Sequence, residues 1–154
     1  MKKLGLFILL VLSFQAFAQI PNKAEKKYEK AQEALRDLDE AAALGYLQEA
    51  VEIYPEYSSA WYLMGDIHYQ KRSTLEAIEA YRMALNPDWE FNYSLLYKLA
   101  NAEYELGFYQ EAKEHFTAYL TYDELSENSV EAAKQLLIDI EYALELKANP
   151  VPFD

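Results

Sequence analysis

Toward the end of the chain, apolar side chains return every three or four residues. In "SENSVEAAKQLLIDIEYALELKA", Val130, Ala133, Leu137, Ile140 and Leu144 fall along one face, and Leu136 and Ile138 widen the stripe. This is the period of an amphipathic helix, with Asn128 or Ser129 placed to cap it and Glu127 and Glu131 beside its positive end. The pattern predicts a helix over 127–148. Upstream, the chain repeats itself. "WYLMGDIHYQKRSTLEAIEAY" (Trp61 to Tyr81) is echoed by "LYKLANAEYELGFYQEAKEHF" (Leu96 to Phe116).

The echo has a period. Ala31, Gly65 and Ala100 are small residues spaced 34 and 35 apart; Ala43, Ala77 and Ala112 repeat those intervals, as do Leu47, Tyr81 and Phe116. Within each unit the first small residue precedes the second by twelve, so a helix, a turn and a second helix bring them together. Small residues at such a crossing let two backbones approach while the large residue fills the space beside them. Three hairpins and a last helix make seven helices.

Trp61, Gly65, Ala77, Tyr81 and Ala84, and again Leu99-Ala100, Leu106-Gly107-Phe108-Tyr109, Ala112 and Phe116, resemble the tetratricopeptide repeat (TPR). The first unit departs from it, with Lys27 where Trp61 later sits, but ends in "AVEIYPEY", where Pro55 closes the helix. The resemblance implies an all-α, right-handed superhelical solenoid of about three hairpins, over about 24–57, 58–92 and 93–126, with 127–148 as the capping helix. Pro87 arrives two residues early, and the longer linker after it makes the second interval 35. The tail "ANPVPFD" reads as an extended linker over 149–154. Its "NPVP" joint is similar to the one that follows the TPR region in envelope proteins continuing into a β-propeller and an OmpA-like domain.

Composition adds a destination. "MKKLGLFILLVLSFQAFAQ" has two lysines, an apolar run from Leu4 to Leu12 and the small-residue end Ala16-Phe17-Ala18, which predicts a signal peptide over 1–18 cleaved before Gln19. The expected location is periplasmic or secreted, with outer-membrane association as a further option. Cysteine is absent, which excludes disulfides and a lipidated cysteine. Without Lys2 and Lys3, 14 basic groups become 12 against 26 acidic ones, net −14. Such a balance argues against nucleic acid and anionic membrane surfaces as partners.

Enzymatic templates find little support. The four glycines are isolated, so there is no phosphate loop; His68 and His115 are 47 residues apart in different repeats. Glu111 and His115 lie one helical turn apart, but a metal site needs three or four ligands, so the pair reads as a solvated face. No enzyme, metal or cofactor is expected.

Fourteen tyrosines stand out instead. Tyr28, Tyr62 and Tyr97 share a column three residues before each small residue; Leu35, Tyr69 and Tyr104 share another four residues after it; Gln32, Asp66 and Asn101 lie between. These columns fall on one helical face. In TPR proteins that face lines the concave groove. The resemblance therefore implies a non-catalytic scaffold that binds a protein or peptide through Tyr28, Gln32, Tyr62, Asp66, Tyr69, Tyr97, Asn101 and Tyr104. With Tyr, Gln, Asp and Asn on that face, a partner bringing basic or aromatic side chains is expected, rather than a terminal carboxylate. Two alternatives stay open: the tyrosines pack neighbouring hairpins together, or the unit is a structural spacer that self-associates.

Overall fold

The computed structural model describes residues 20–85 and 92–150. The expected leader over 1–18, Pro87 with its flanking residues over 86–91, and residues 151–154 of the expected tail lie outside the described residues. Seven α-helices and no strand occupy them: α1 (Asn22–Arg36), α2 (Glu40–Ile53), α3 (Ser58–Gln70), α4 (Thr74–Ala84), α5 (Asn92–Glu105), α6 (Tyr109–Tyr119) and α7 (Glu127–Ala148). Consecutive helices pair as hairpins α1/α2, α3/α4 and α5/α6; α2 meets α3, α4 meets α5, and α7 packs on α6.

The three hairpin turns share one device. Leu38, Arg72 and Gly107, spaced 34 and 35 apart, all have positive φ, at 61°, 64° and 75°. After each, the next amide bonds back to the helix it leaves: Asp39 to Ala34 O (2.8 Å), Ser73 to His68 O (3.0 Å) and Phe108 to Glu103 O (2.9 Å). This six-to-one bond satisfies carbonyls that the helix end would otherwise orphan. Only the third turn has the glycine that suits a left-handed residue.

Hairpin crossings explain the small-residue columns. Ala31, Ala100, Ala43, Ala77, Ala112, Leu47 and Phe116 are fully buried, Tyr81 nearly so, and Gly65 is buried with them. A Cβ on Gly65 would come within 2.4 Å of two ring carbons of Tyr81, so the ring occupies the space that any side chain would need. Fully burying a residue such as Leu47 or Phe116 contributes ~1.5–3 kcal/mol each.

The last helix differs from its reading in two ways. Its N-cap is Ser126, whose Oγ accepts from the Ser129 amide at 3.2 Å, so Asn128 and Ser129 lie inside the first turn. Ala133 and Ile140 are fully buried against α6 with Leu136, Leu137 and Leu144 beside them, but Ile138 is 59% exposed. Two residues from Ile140, it points away from the buried side instead of widening the stripe.

Candidate binding groove

The face shared by α3 and α5 carries most of the residues singled out in the sequence. Tyr62, Asp66 and Tyr69 rise on successive turns of α3, and Tyr97 and Asn101 on α5. Polar links join the two helices across 32 or more residues of chain. The Tyr62 hydroxyl and Ser94 Oγ lie 3.2 Å apart. Lys98 Nζ donates to both oxygens of Asp66 at 2.7 Å and lies 4.6 Å from the centre of the Tyr62 ring. Tyr69 donates its hydroxyl to Glu105.

Asp66 is therefore engaged from two sides. Besides Lys98 it accepts the Tyr81 hydroxyl at 2.7 Å, which ties the groove to the residue beneath Gly65. Burial first, and then Asp66, holds the Tyr81 phenol far above its ordinary range. Burial, followed by the hydrogen bond to Glu105, pushes Tyr69 up to about 12. For Lys98, burial lowers the ammonium's pKa, but Asp66 and Tyr62 outweigh it and the net shift is upward.

Two cavities open along this face. One, of about 350 Å3, is lined by Asp66, Tyr69, Gln70, Tyr81, Tyr97, Lys98 and Asn101. The other, of about 360 Å3, lies between α5 and the start of α7 and is bounded by Tyr93, Ser94, Tyr97, Lys98, Tyr119 and Asn128 among others. Tyr97 and Lys98 belong to both, so they form the wall between two consecutive compartments. Asn101 donates to the Tyr97 carbonyl at 2.8 Å, and the Tyr97 ring rests on Phe116 and Tyr119 at 5.6 and 5.1 Å.

The remaining predicted residues stand apart. Tyr28 packs on Tyr57 at 5.2 Å within the first core cluster, while Gln32 is exposed beside it. Tyr104 packs on Tyr109 at 5.8 Å. These three line neither cavity, and Tyr62, though tied to Ser94 and Lys98 on the groove face, lines neither as well. Lys98 is the residue that sequence reasoning missed on this face. It sits one place after the Tyr97 column, and only the pairing of α5 with α3 brings it to Asp66.

His115 also departs from its reading as part of a solvated pair. It faces Glu103 Oε2 at 2.6 Å, not Glu111, and Glu103 Oε1 accepts from Arg82 at 2.8 Å. Glu103 is completely buried. In sequence it is one acid among 26; a buried carboxylate is revealed only by partners on two other helices.

This array of hairpins has known counterparts. The tetratricopeptide repeat family pattern matches residues 28–92, the stretch from α1 to the start of α5. The N-terminal domain of stress-induced protein-1 from C. elegans superposes with a TM-score of 0.65 at 14% identity, covering 75% of this chain and 94% of that one. The TPR2B domain of yeast Sti1, in a complex with pHsp70, gives 0.62 at 21% identity, covering 79% and 98%. The Arabidopsis OM64 TPR domain gives 0.63 at 19% identity, covering 75% and 94%. No curated protein matches the chain. The fold is thus an all-α TPR solenoid, a class of non-catalytic protein–protein interaction modules, and no helix among the described residues is long and apolar enough to cross a membrane.

Proposed function

We propose that this chain is an interaction scaffold of the bacterial envelope that holds an extended protein segment along α3 and α5. The observation that carries this reading is the pair of consecutive cavities sharing Tyr97 and Lys98. Neighbouring compartments along one face suit an extended peptide that inserts successive side chains. Their walls are tyrosine rings, which offer apolar area and a hydroxyl at low entropic cost.

Charge plays the smaller part inside the groove. Asp66 and Lys98 neutralise one another, so the compartments select apolar and aromatic side chains, with Asn101, Gln70 and Ser94 meeting peptide amides. The acidic surplus of the whole chain steers a basic partner toward the molecule. The leader-like start supports export, with the mature chain beginning at Gln19.

Peptides selected from a random library against the folded chain test the groove. Tyr69→Ala with Asn101→Ala removes two groups from one compartment without touching the packing of Tyr97 on α6. We expect affinity to fall about tenfold or more, the scale of an aromatic anchor, with the helical circular dichroism unchanged. Unchanged affinity overturns the groove. Mass spectrometry of the exported protein checks the leader: an intact Met1 defeats that part of the reading.

A further inference from the structure

The outward face of α7 is unlike the end of a capped solenoid. A terminal helix keeps such an array soluble by turning a polar face to water. Here Ile138, Tyr142 and Leu146 are exposed by 59%, 64% and 40%. Four residues apart, they form one stripe along two turns of helix, opposite the buried Ala133 and Ile140.

Acids border this stripe. Glu131, Asp139 and Glu145 project on the same side as Ile138 and Tyr142, and all three are exposed. Of the bases on α7, Lys147 reaches back to the Gly107 carbonyl at 3.2 Å and lies over the Tyr109 ring, while Lys134, exposed one turn before Ile138, stands at the N-terminal end of the stripe. Glu141 itself is turned to Lys113 at 2.8 Å, away from the stripe. The face is thus apolar along its middle and, with three acids against the single Lys134, net negative along its edges.

We infer that the outward face of α7 is a second docking surface, distinct from the groove, and that it takes a cationic amphipathic helix. The partner's leucine-like stripe covers Ile138, Tyr142 and Leu146, and its lysines or arginines meet Glu131, Asp139 and Glu145. A second copy of this chain fits poorly. Two α7 faces would oppose acid to acid, and the chain carries a net charge of −12 overall. The outer side of α1 offers lysines but mixes them with Glu25, Glu29 and Glu33 and has no matching apolar stripe.

A designed peptide of about 14 residues tests this, with leucines at helical spacing on one face and lysines beside them. Two counterparts accompany it: one with glutamates replacing the lysines, and one with the same composition but the leucines moved off the stripe. The striped lysine peptide should bind the full chain, and Ile138→Ser with Tyr142→Ser should weaken it about tenfold or more. Both side chains are exposed, so helix content should not change. Tyr69→Ala with Asn101→Ala should leave this binding intact, which separates the surface from the groove. Raising salt from about 50 to 300 mM should weaken binding several-fold. Equal binding of the scrambled or glutamate peptide, or no loss in the double serine variant, overturns the inference. So does a concentration-dependent dimer that the serine variant abolishes, since a second copy then covers the face.

Discussion

The seam between the first and second hairpins and the seam between the second and third use the same columns of sequence but close differently. Gln48, His68 and Ala80 at the first correspond to Arg82, Glu103 and His115 at the second, by the intervals of 34 and 35 that relate the repeats. At the second seam the three make a closed cluster around a fully buried carboxylate. At the first they line a cavity of about 560 Å3 together with Trp61, Met64 and Met83. On the groove side the contrast continues. Asp66–Lys98, Tyr62–Ser94 and Tyr69–Glu105 cross the second seam, whereas ring packing of Tyr28 on Tyr57 occupies the first. The crossings within hairpins are set by small residues and are alike. The chemistry between hairpins is free to vary, and here the buried carboxylate with its two partners lies at the second seam.

The largest test of that contrast replaces one column in both seams. Arg82→Met leaves the buried Glu103 with His115 alone and should cost about 2–3 kcal/mol, near the lower end for breaking a buried charged pair. Gln48→Met, at the open seam, should change stability by no more than ~0.5 kcal/mol. Urea melts compare the two; equal effects would mean that the seams do not differ energetically.

A pH series sharpens the comparison at intermediate scale. Tyr57 at the first seam and Tyr69 at the second are both pushed up to about 12, by burial first, and Tyr81 and Lys98 at the second are also raised. A group whose folded pKa is raised contributes stability below its unfolded value and loses it as pH climbs through the folded one. The protein should therefore lose stability between about pH 10 and 12. Solvent screening at the partly exposed Tyr69 holds its share of the loss to about 1 kcal/mol. Tyr69→Phe should flatten that loss more than Tyr28→Phe, since the Tyr69 hydroxyl bonds Glu105 across the polar seam. Denaturant melts at about pH 9 and pH 11 decide it; an unchanged slope in Tyr69→Phe contradicts the assignment.

Ala80→Met gives the smallest expected effect. It extends a buried side chain into the cavity of the first seam and should be neutral or stabilise by up to ~1 kcal/mol. A lowered melting temperature would show that the space is not open to a side chain.

Much of this molecule is legible in its sequence, and the residues show why. The small-residue columns at Ala31, Gly65 and Ala100 report the hairpin crossings directly, because close backbone approach leaves no other choice of side chain. Of the tyrosine columns, Tyr62, Tyr69 and Tyr97 lie on the face shared by α3 and α5 while Tyr28 and Tyr104 pack elsewhere, and identity alone cannot tell a cavity wall such as Tyr69 from a packing ring such as Tyr28. Lys98 and Glu103 escape for a different reason. Each takes its role from partners on other helices, and a charged residue on a helix reads as solvated until those helices are paired. Ile138 misled by spacing, since a residue beside the apolar stripe of α7 turned out to lie opposite its buried centre.

The buried carboxylate also bears on how such an array changes length over evolution. Repeat proteins gain and lose whole hairpins, and each new neighbour must fit the one already present. Glu103 draws one partner from α4 and the other from α6, so a unit inserted between the second and third hairpins would have to bring an arginine in the column of Arg82. A residue without a positive charge there would leave the buried Glu103 with His115 alone. The boundary ahead of Ser58 carries no such requirement, and a unit with the small-residue columns would fit it. Relatives with more or fewer hairpins are therefore expected to differ at that boundary, while the second and third hairpins are inherited as a pair.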